Sequence, residues 1–250
     1  MEIRLKVWHG SINLEVWYHD QVALICGKRQ GYLGSYLPQL QHYFGLDETT
    51  SVWLETDYGD SWPLAWHIPI GTLYDSYGEL SADHQWRLRL QTGELPSTLL
   101  PLMYGPDYHK NLREYLFAQL KQACMVVNGS TKAVMQLSTH NSDQIWRAIL
   151  ATDWNDYWSV INQVLVPTTT KVPVKVYRGT QVSLKVVNGG NLVGNVLDEG
   201  AIVQGISLPP TMTMAEVWFH FKGVDGFIHV VDHLQPLKLL SPEPDPNNVD

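Results

Sequence analysis

With 250 residues, 44% hydrophobic and 17% charged, the chain is long enough for several buried cores and too apolar to be largely disordered. A formal net charge of -8 argues against non-specific nucleic-acid binding, which needs a basic face. Cys26 and Cys124 are too few for a disulfide framework or a paired-cysteine zinc site, and no stretch approaches the ~20 apolar residues of a membrane-spanning helix.

The N-terminal run Met1 to Trp8 is charged throughout and lacks the apolar centre of a signal peptide, so a cytoplasmic protein is expected. It reads as a short helix or arm carrying Leu5 and Trp8. Residues 11–18 alternate and are β-rich, which predicts a strand, and Val22 to Ile25 predicts a second. A helix is expected over 33–44, with Leu37, Leu40 and Phe44 on one face. Strands are expected at 52–55, at 64–67 after a turn beginning at Tyr58, and at 86–90. Pro69 opens a further helix, because proline suits a first helical turn. Strand pair, crossing helix and returning strand give a β-grasp order.

Pro96, Pro101 and Pro106 mark a linker. The longest helical periodicity follows, with Leu112, Leu116, Leu120, Cys124 and Val127 sharing one face. Lys121 lies one position past that stripe, where its stem can rest on apolar surface while its ammonium stays in water. Asn128-Gly-Ser combines a helix stop with a helix start. Asn141 with Gln144 suggests a capping box for a helix carrying Ile145, Trp146, Ile149 and Leu150. Asp153 opens another, with Trp158, Ile161 and Leu165 inward. After a second linker over 166–173, strands are expected at 174–177, 182–186, 202–206 and 227–231. A helix over 212–221, with Ala215, Trp218 and Phe219 inward, repeats the β-grasp order. The acidic, proline-rich end from Ser241 is expected to be disordered.

The expected fold class is therefore α+β: two ubiquitin-like (β-grasp) domains, 1–105 and 167–240, flank a helix-rich domain, 106–166, with a tail at 241–250. No phosphate-binding glycine loop, nucleophile elbow or His-Glu-x-x-His helix is present. Cys124, His140 and Asp143 are the only residues that invite thiol chemistry, but Cys124 sits on the apolar stripe. No catalytic residue, metal site or cofactor is expected. Lys110, Arg113, Lys121 and Lys132 concentrate positive charge in an otherwise acidic chain, so weak contact with an anionic membrane is expected, with Lys132 presented outward.

The run Lys121-Gln-x-Cys, Asn128-Gly-Ser, Lys132-Ala and Met135-Gln-Leu-Ser resembles the autophagy-related protein 5 family. So do Arg29-Gln-Gly-Tyr-Leu, Leu64-Ala-Trp-His-Ile-Pro-Ile-Gly, Gln144-Ile-Trp, Trp154-Asn-Asp-Tyr-Trp, Val203-Gln-Gly-Ile and Asp225-Gly-Phe-Ile-His. The segment from Gly179 to Gly200 matches the family poorly. The resemblance implies that Lys121 accepts an isopeptide bond from the ubiquitin-like modifier autophagy-related protein 12. Autophagy-related proteins 7 and 10 would act as activating and conjugating enzymes. The conjugate would bind the coiled-coil autophagy-related protein 16, work with the conjugating enzyme autophagy-related protein 3, and promote lipidation of autophagy-related protein 8 with phosphatidylethanolamine. It would do so peripherally on the preautophagosomal membrane. Arg29, Tyr32, Trp66 and His67 are the expected lining of a groove for the partner helix where the first and middle segments meet. An unmodified adaptor using aromatic grooves is the competing reading.

Overall fold

In the computed structural model, residues 2–58, 61–78, 85–102, 107–166 and 170–232 are described. The expected tail and part of the turn after Tyr58 lie outside them. The alternating first segment forms β1 (Ser11–Tyr18), paired in full antiparallel register with β2 (Gln21–Lys28). A 3-10 turn over Leu33–Ser35 leads into α2 (Leu37–Tyr43), then β3 (Val52–Thr56), α3 (Ile70–Tyr77) and β4 (Gln85–Thr92). The sheet order is β2-β1-β4-β3, with β1 and β4 parallel and the outer pairs antiparallel. This is the β-grasp arrangement that the element order predicted.

Residues 64–67 do not form the expected strand. They meet β3 through a single bridge, Glu55 to Pro63, and the Leu64 N–H donates to the Leu54 carbonyl at 2.8 Å. The ladder goes no further because the chain then turns away, the Ile68 N–H donating to the Ala65 carbonyl at 3.1 Å.

The middle of the chain is helical: α4 (Tyr108–Asn128), α5 (Lys132–Met135), α6 (Thr139–Ala151) and α7 (Trp154–Val164). The α4 stripe is buried as expected, with Ala123 added and Val127 at its edge. The cap of α6 is Ser138, whose hydroxyl accepts the Asn141 N–H at 3.1 Å, and not Asn141. Gln144 instead donates across to α7, reaching the Asp156 carbonyl and the Ser159 hydroxyl. Asp153 caps α7 as predicted.

The last domain repeats the first sheet order. It contains β5 (Lys171–Arg178), β6 (Gln181–Asn188), β7 (Ile202–Val203), β8 (Ile206–Ser207), α8 (Met214–Phe221) and β9 (Ile228–Val231), ordered β6-β5-β9-β7-β8. Three expectations are corrected here. β5 begins at Lys171, before Pro173, so the second linker is shorter. The run 202–206 is a hairpin, turned by Gln204 and Gly205 at positive φ. The inward face of α8 is Met214, Val217, Trp218 and Phe221, one step round from the expected Ala215 and Phe219.

The domains interlock through buried groups. α1 (Glu2–His9) packs on α8 and α7 and away from the first sheet: Trp8 is buried, stacks 4.9 Å from Tyr157 and donates to the Thr152 carbonyl at 3.0 Å. The turn before β9 wedges into the bundle. There Tyr157 donates to the Val224 carbonyl, and Asp225 accepts from Lys175 (2.9 Å), pairs with His229 (3.0 Å) and accepts the Phe227 N–H. Burial opposes the Asp225 charge, but His229 and Lys175 win and hold its carboxyl far below the usual range.

Candidate functional site

α4 ends because Gly129 takes the left-handed conformation, φ 69°, which costs glycine little. The preceding Asn128 fixes the turn by donating to the Val164 carbonyl (2.7 Å) and accepting the Val166 N–H (3.2 Å). The Cys124 thiol donates to the Ser130 carbonyl at 3.1 Å. The chain therefore folds back, and α5 and the residues after it lie over α4. The result is a groove of about 420 Å³ with Lys121, Phe117 and Lys110 on one side and Val134, Met135 and Leu137 on the other. Lys121 is half-buried at this groove and has no ion-pair partner among the described residues. It lines the groove together with Phe117, Val134, Met135 and Leu137.

Lys110, Arg113 and Lys121 are brought together on that groove, whereas Lys132 is exposed at the start of α5 and does not line it. Arg113 is also engaged, 2.7 Å from Asp143 and over the Phe117 ring. The thiol grouping has no matching geometry. Cys124 is fully buried, burial pushes its thiol up, and Asp143 is turned to Arg113.

A second concavity, about 210 Å³, opens where all three domains meet. Trp8, Tyr32, Tyr36, Leu112, Trp146 and Leu150 line it, with Val224 from the last domain. Of the four residues expected at a partner groove, only Tyr32 lines this one. Arg29 is held 2.5 Å from Asp75 beneath the Gly205 turn. Trp66 is 8% exposed in the seam between the first domain and α4, donating to the Leu100 carbonyl at 2.9 Å and packing on Tyr115. Trp66 is therefore core. His67 lies beside it, 5.2 Å from the Tyr115 ring; burial first, then the Lys175 charge, lowers its pKa to about 4. Sequence reasoning missed Trp8, Tyr36 and Trp146 at the concavity. Trp146 shares a helix face with Ile145, Ile149 and Leu150, and no local pattern tells a core face from a groove wall.

Three family models match the chain. The UblA domain of Autophagy protein ATG5 matches residues 7–92, its alpha-helical bundle region 109–167, and its UblB domain 196–231. β5 and β6 fall outside the last match, in keeping with the poor likeness noted from Gly179, yet they complete the sheet. Autophagy protein 5 of Scheffersomyces stipitis is 34% identical over 71% of this chain and 69% of that protein. Its counterpart in Candida albicans is 29% identical over 92% of this chain and 95% of that protein. The crystal structure of Kluyveromyces marxianus Atg5 superposes with a TM-score of 0.81 at 27% identity, covering 92% of this chain and 99% of that one.

Proposed function

The chain belongs to the autophagy protein 5 family, and from that premise we propose that it is the acceptor of a ubiquitin-like modifier, autophagy-related protein 12, through Lys121. The observation that carries this reading is the placement of Lys121: on the longest helix, half-exposed at a groove, and free of any ion pair among the described residues. An acceptor lysine must be reachable and must lose a proton before it can attack. A carboxylate partner would hold that proton. In the step itself the Lys121 nitrogen attacks the carbonyl carbon of a thioester between modifier and conjugating enzyme. A C–N bond forms, the C–S bond breaks, and the enzyme's thiolate leaves with the electron pair. The proton lost by the amine ends on that sulfur or in solvent.

The three-domain concavity suits the apolar face of a helix, and autophagy-related protein 16 is the partner we assign to it. The enzymes acting on or with the chain are autophagy-related proteins 7, 10 and 3. The chain contributes no catalytic residue, and its ligase-like effect on lipidation of autophagy-related protein 8 belongs to the conjugate. It works in the cytoplasm and at the surface of the preautophagosomal membrane, with Lys132 as a weak anionic-lipid contact. The deciding experiment is reconstituted conjugation with Lys121→Arg. Arginine keeps the stem and charge, but with a pKa above ~12 it cannot become the nucleophile. We expect no thiol-resistant adduct, and a branched peptide at Lys121 in the unsubstituted protein. An adduct on the arginine variant would remove Lys121 as acceptor. A chain that forms none under any condition would be an adaptor working through the concavity alone.

A further inference from the structure

A cluster of unsatisfied donors lies outside both concavities, where α1 packs on α7 and α8. Arg4 and Lys222 share one aromatic cage there. The Arg4 guanidinium stands 4.1 Å from the Trp158 ring centre and 4.5 Å from that of Phe219. The Lys222 ammonium is 4.8 Å and 5.8 Å from the same two rings and 4.0 Å from Trp218. Ring faces attract each cation, but two like charges in one cage repel. No carboxylate pairs with either among the described residues, and Glu216 on α8 is engaged by Thr213. The other titratable groups facing the pair are Tyr157 on α7, which donates to the Val224 carbonyl, and His220 on α8, whose pKa burial lowers. The Arg4 Nε and Nη2 and the Trp158 indole Nε1 are buried, and none of the three reaches an acceptor. Nε and Nη2 form the edge by which a guanidinium grips a carboxylate through two parallel hydrogen bonds. Buried donors left unpaired are costly, so three together mark the place of a missing acceptor. Lys222 itself is 6% exposed. Burial first, then the Arg4 charge, lowers its pKa to about 7, so near neutral pH much of it is the free amine.

We propose that Lys222 is a carbamylation site: its amine takes up carbon dioxide, and the carbamate turns to the Arg4 Nε–Nη2 edge and the Trp158 indole N–H. In the step, the amine lone pair attacks the carbon of carbon dioxide. A C–N bond forms, one C–O π pair moves onto oxygen, and the nitrogen passes a proton to water. One cation thereby becomes an anion beside the other, and the three idle donors gain acceptors. The step has no leaving group and needs no oxidant, and dissolved bicarbonate supplies the reagent. Carbon dioxide also suits so closed a site. It is small, linear and uncharged, and it enters a cage that a charged or branched acyl donor cannot. The carbamate ties α1 to Lys222 at the end of α8 by an ion pair that the free amine cannot make. α1 carries Trp8 into the three-domain concavity, so the modification fastens one wall of that concavity.

The test is carbon NMR of the intact chain in isotope-enriched bicarbonate near neutral pH, beside melting in the same buffer and in one freed of carbon dioxide. Circular dichroism shows that each variant is folded. We expect a carbamate resonance that is lost in Lys222→Met, and a melting temperature that bicarbonate raises in the unsubstituted chain but not in that variant. The resonance should also vanish in denaturant, where the unfolded lysine regains its ordinary pKa and its proton. Trp158→Phe keeps a ring and removes the indole donor; Arg4→Lys keeps the charge and removes the two-pronged edge. Each should raise the bicarbonate concentration needed for half-occupancy about tenfold. The proposal is overturned by the absence of a carbamate resonance from the folded chain, by a spectrum unchanged in Lys222→Met, or by unchanged occupancy in both donor variants. Stabilisation by bicarbonate that persists in Lys222→Met would place a free anion in the cage and overturn the covalent step.

Discussion

Lys222 shows how far a single side chain can be pushed by its surroundings. It is 6% exposed, its ammonium lies 4.0 Å from the Trp218 ring centre and 4.8 Å from Trp158, and the Arg4 guanidinium covers the same Trp158 at 4.1 Å. Cation–aromatic attraction offsets part of the burial cost, but no carboxylate is paired with either cation among the described residues. Burial, then the Arg4 charge, lowers Lys222 to about 7 from an ordinary 10.5. A base whose folded pKa is depressed costs stability once the unfolded chain can protonate. The cost is absent above about 10.5, grows as pH falls, and levels off below about 7. We therefore expect the melting temperature to rise between pH 7 and 10 and Lys222→Met to flatten that rise. His67, at about 4, loses stability over the lower interval from 6.5 downward. His67→Phe should make the melting temperature less sensitive to acid between pH 6.5 and 4, and an unchanged slope would rule out its neutral burial as a cause.

At the scale of elements, two glycines separate backbone strain from crowding. Gly129 ends α4 at φ 69° with nothing within 4 Å of where a Cβ would stand. Gly226, at φ 86°, lies within the wedge before β9, and a Cβ there would come 2.8 Å from the Ala123 Cβ. Gly129→Ala should cost about 1 kcal/mol, the penalty of a left-handed residue alone. Gly226→Ala should cost ~1–3 kcal/mol more, because α4 and the last domain must also move apart. Urea unfolding of both variants checks the ordering, and equal losses would mean that the wedge yields without strain.

For the whole molecule, Trp66 and Trp146 make the contrast between seam and groove measurable. Trp66 joins the first domain to α4, so Trp66→Ala should cost ~3–5 kcal/mol and lower thermal stability and helix-partner binding together. Trp146, half-buried at the concavity, should lose partner binding on replacement by alanine with a much smaller change in melting. Calorimetric titration with a partner helix alongside circular-dichroism melting distinguishes the two. Unimpaired binding by the Trp146 variant would mean that the helix docks elsewhere.

The sequence by itself determined the elements whose cause is local. Alternation made β1, three- and four-residue spacing made α4, Asn128-Gly129 ended it, and Asp153 capped α7. Repetition of strand pair, helix and returning strand also made the two β-grasp sheets legible. The tertiary structure decided what each apolar face meets. It put Trp66 in a seam, sent Trp8 to α7 and α8, broke the run 202–206 into a hairpin, and raised Met135 and Leu137 opposite Lys121. A periodic pattern records that a face is to be covered. The identity of the cover depends on turns and contacts between residues far apart in the chain, whose energies no window of neighbouring residues contains.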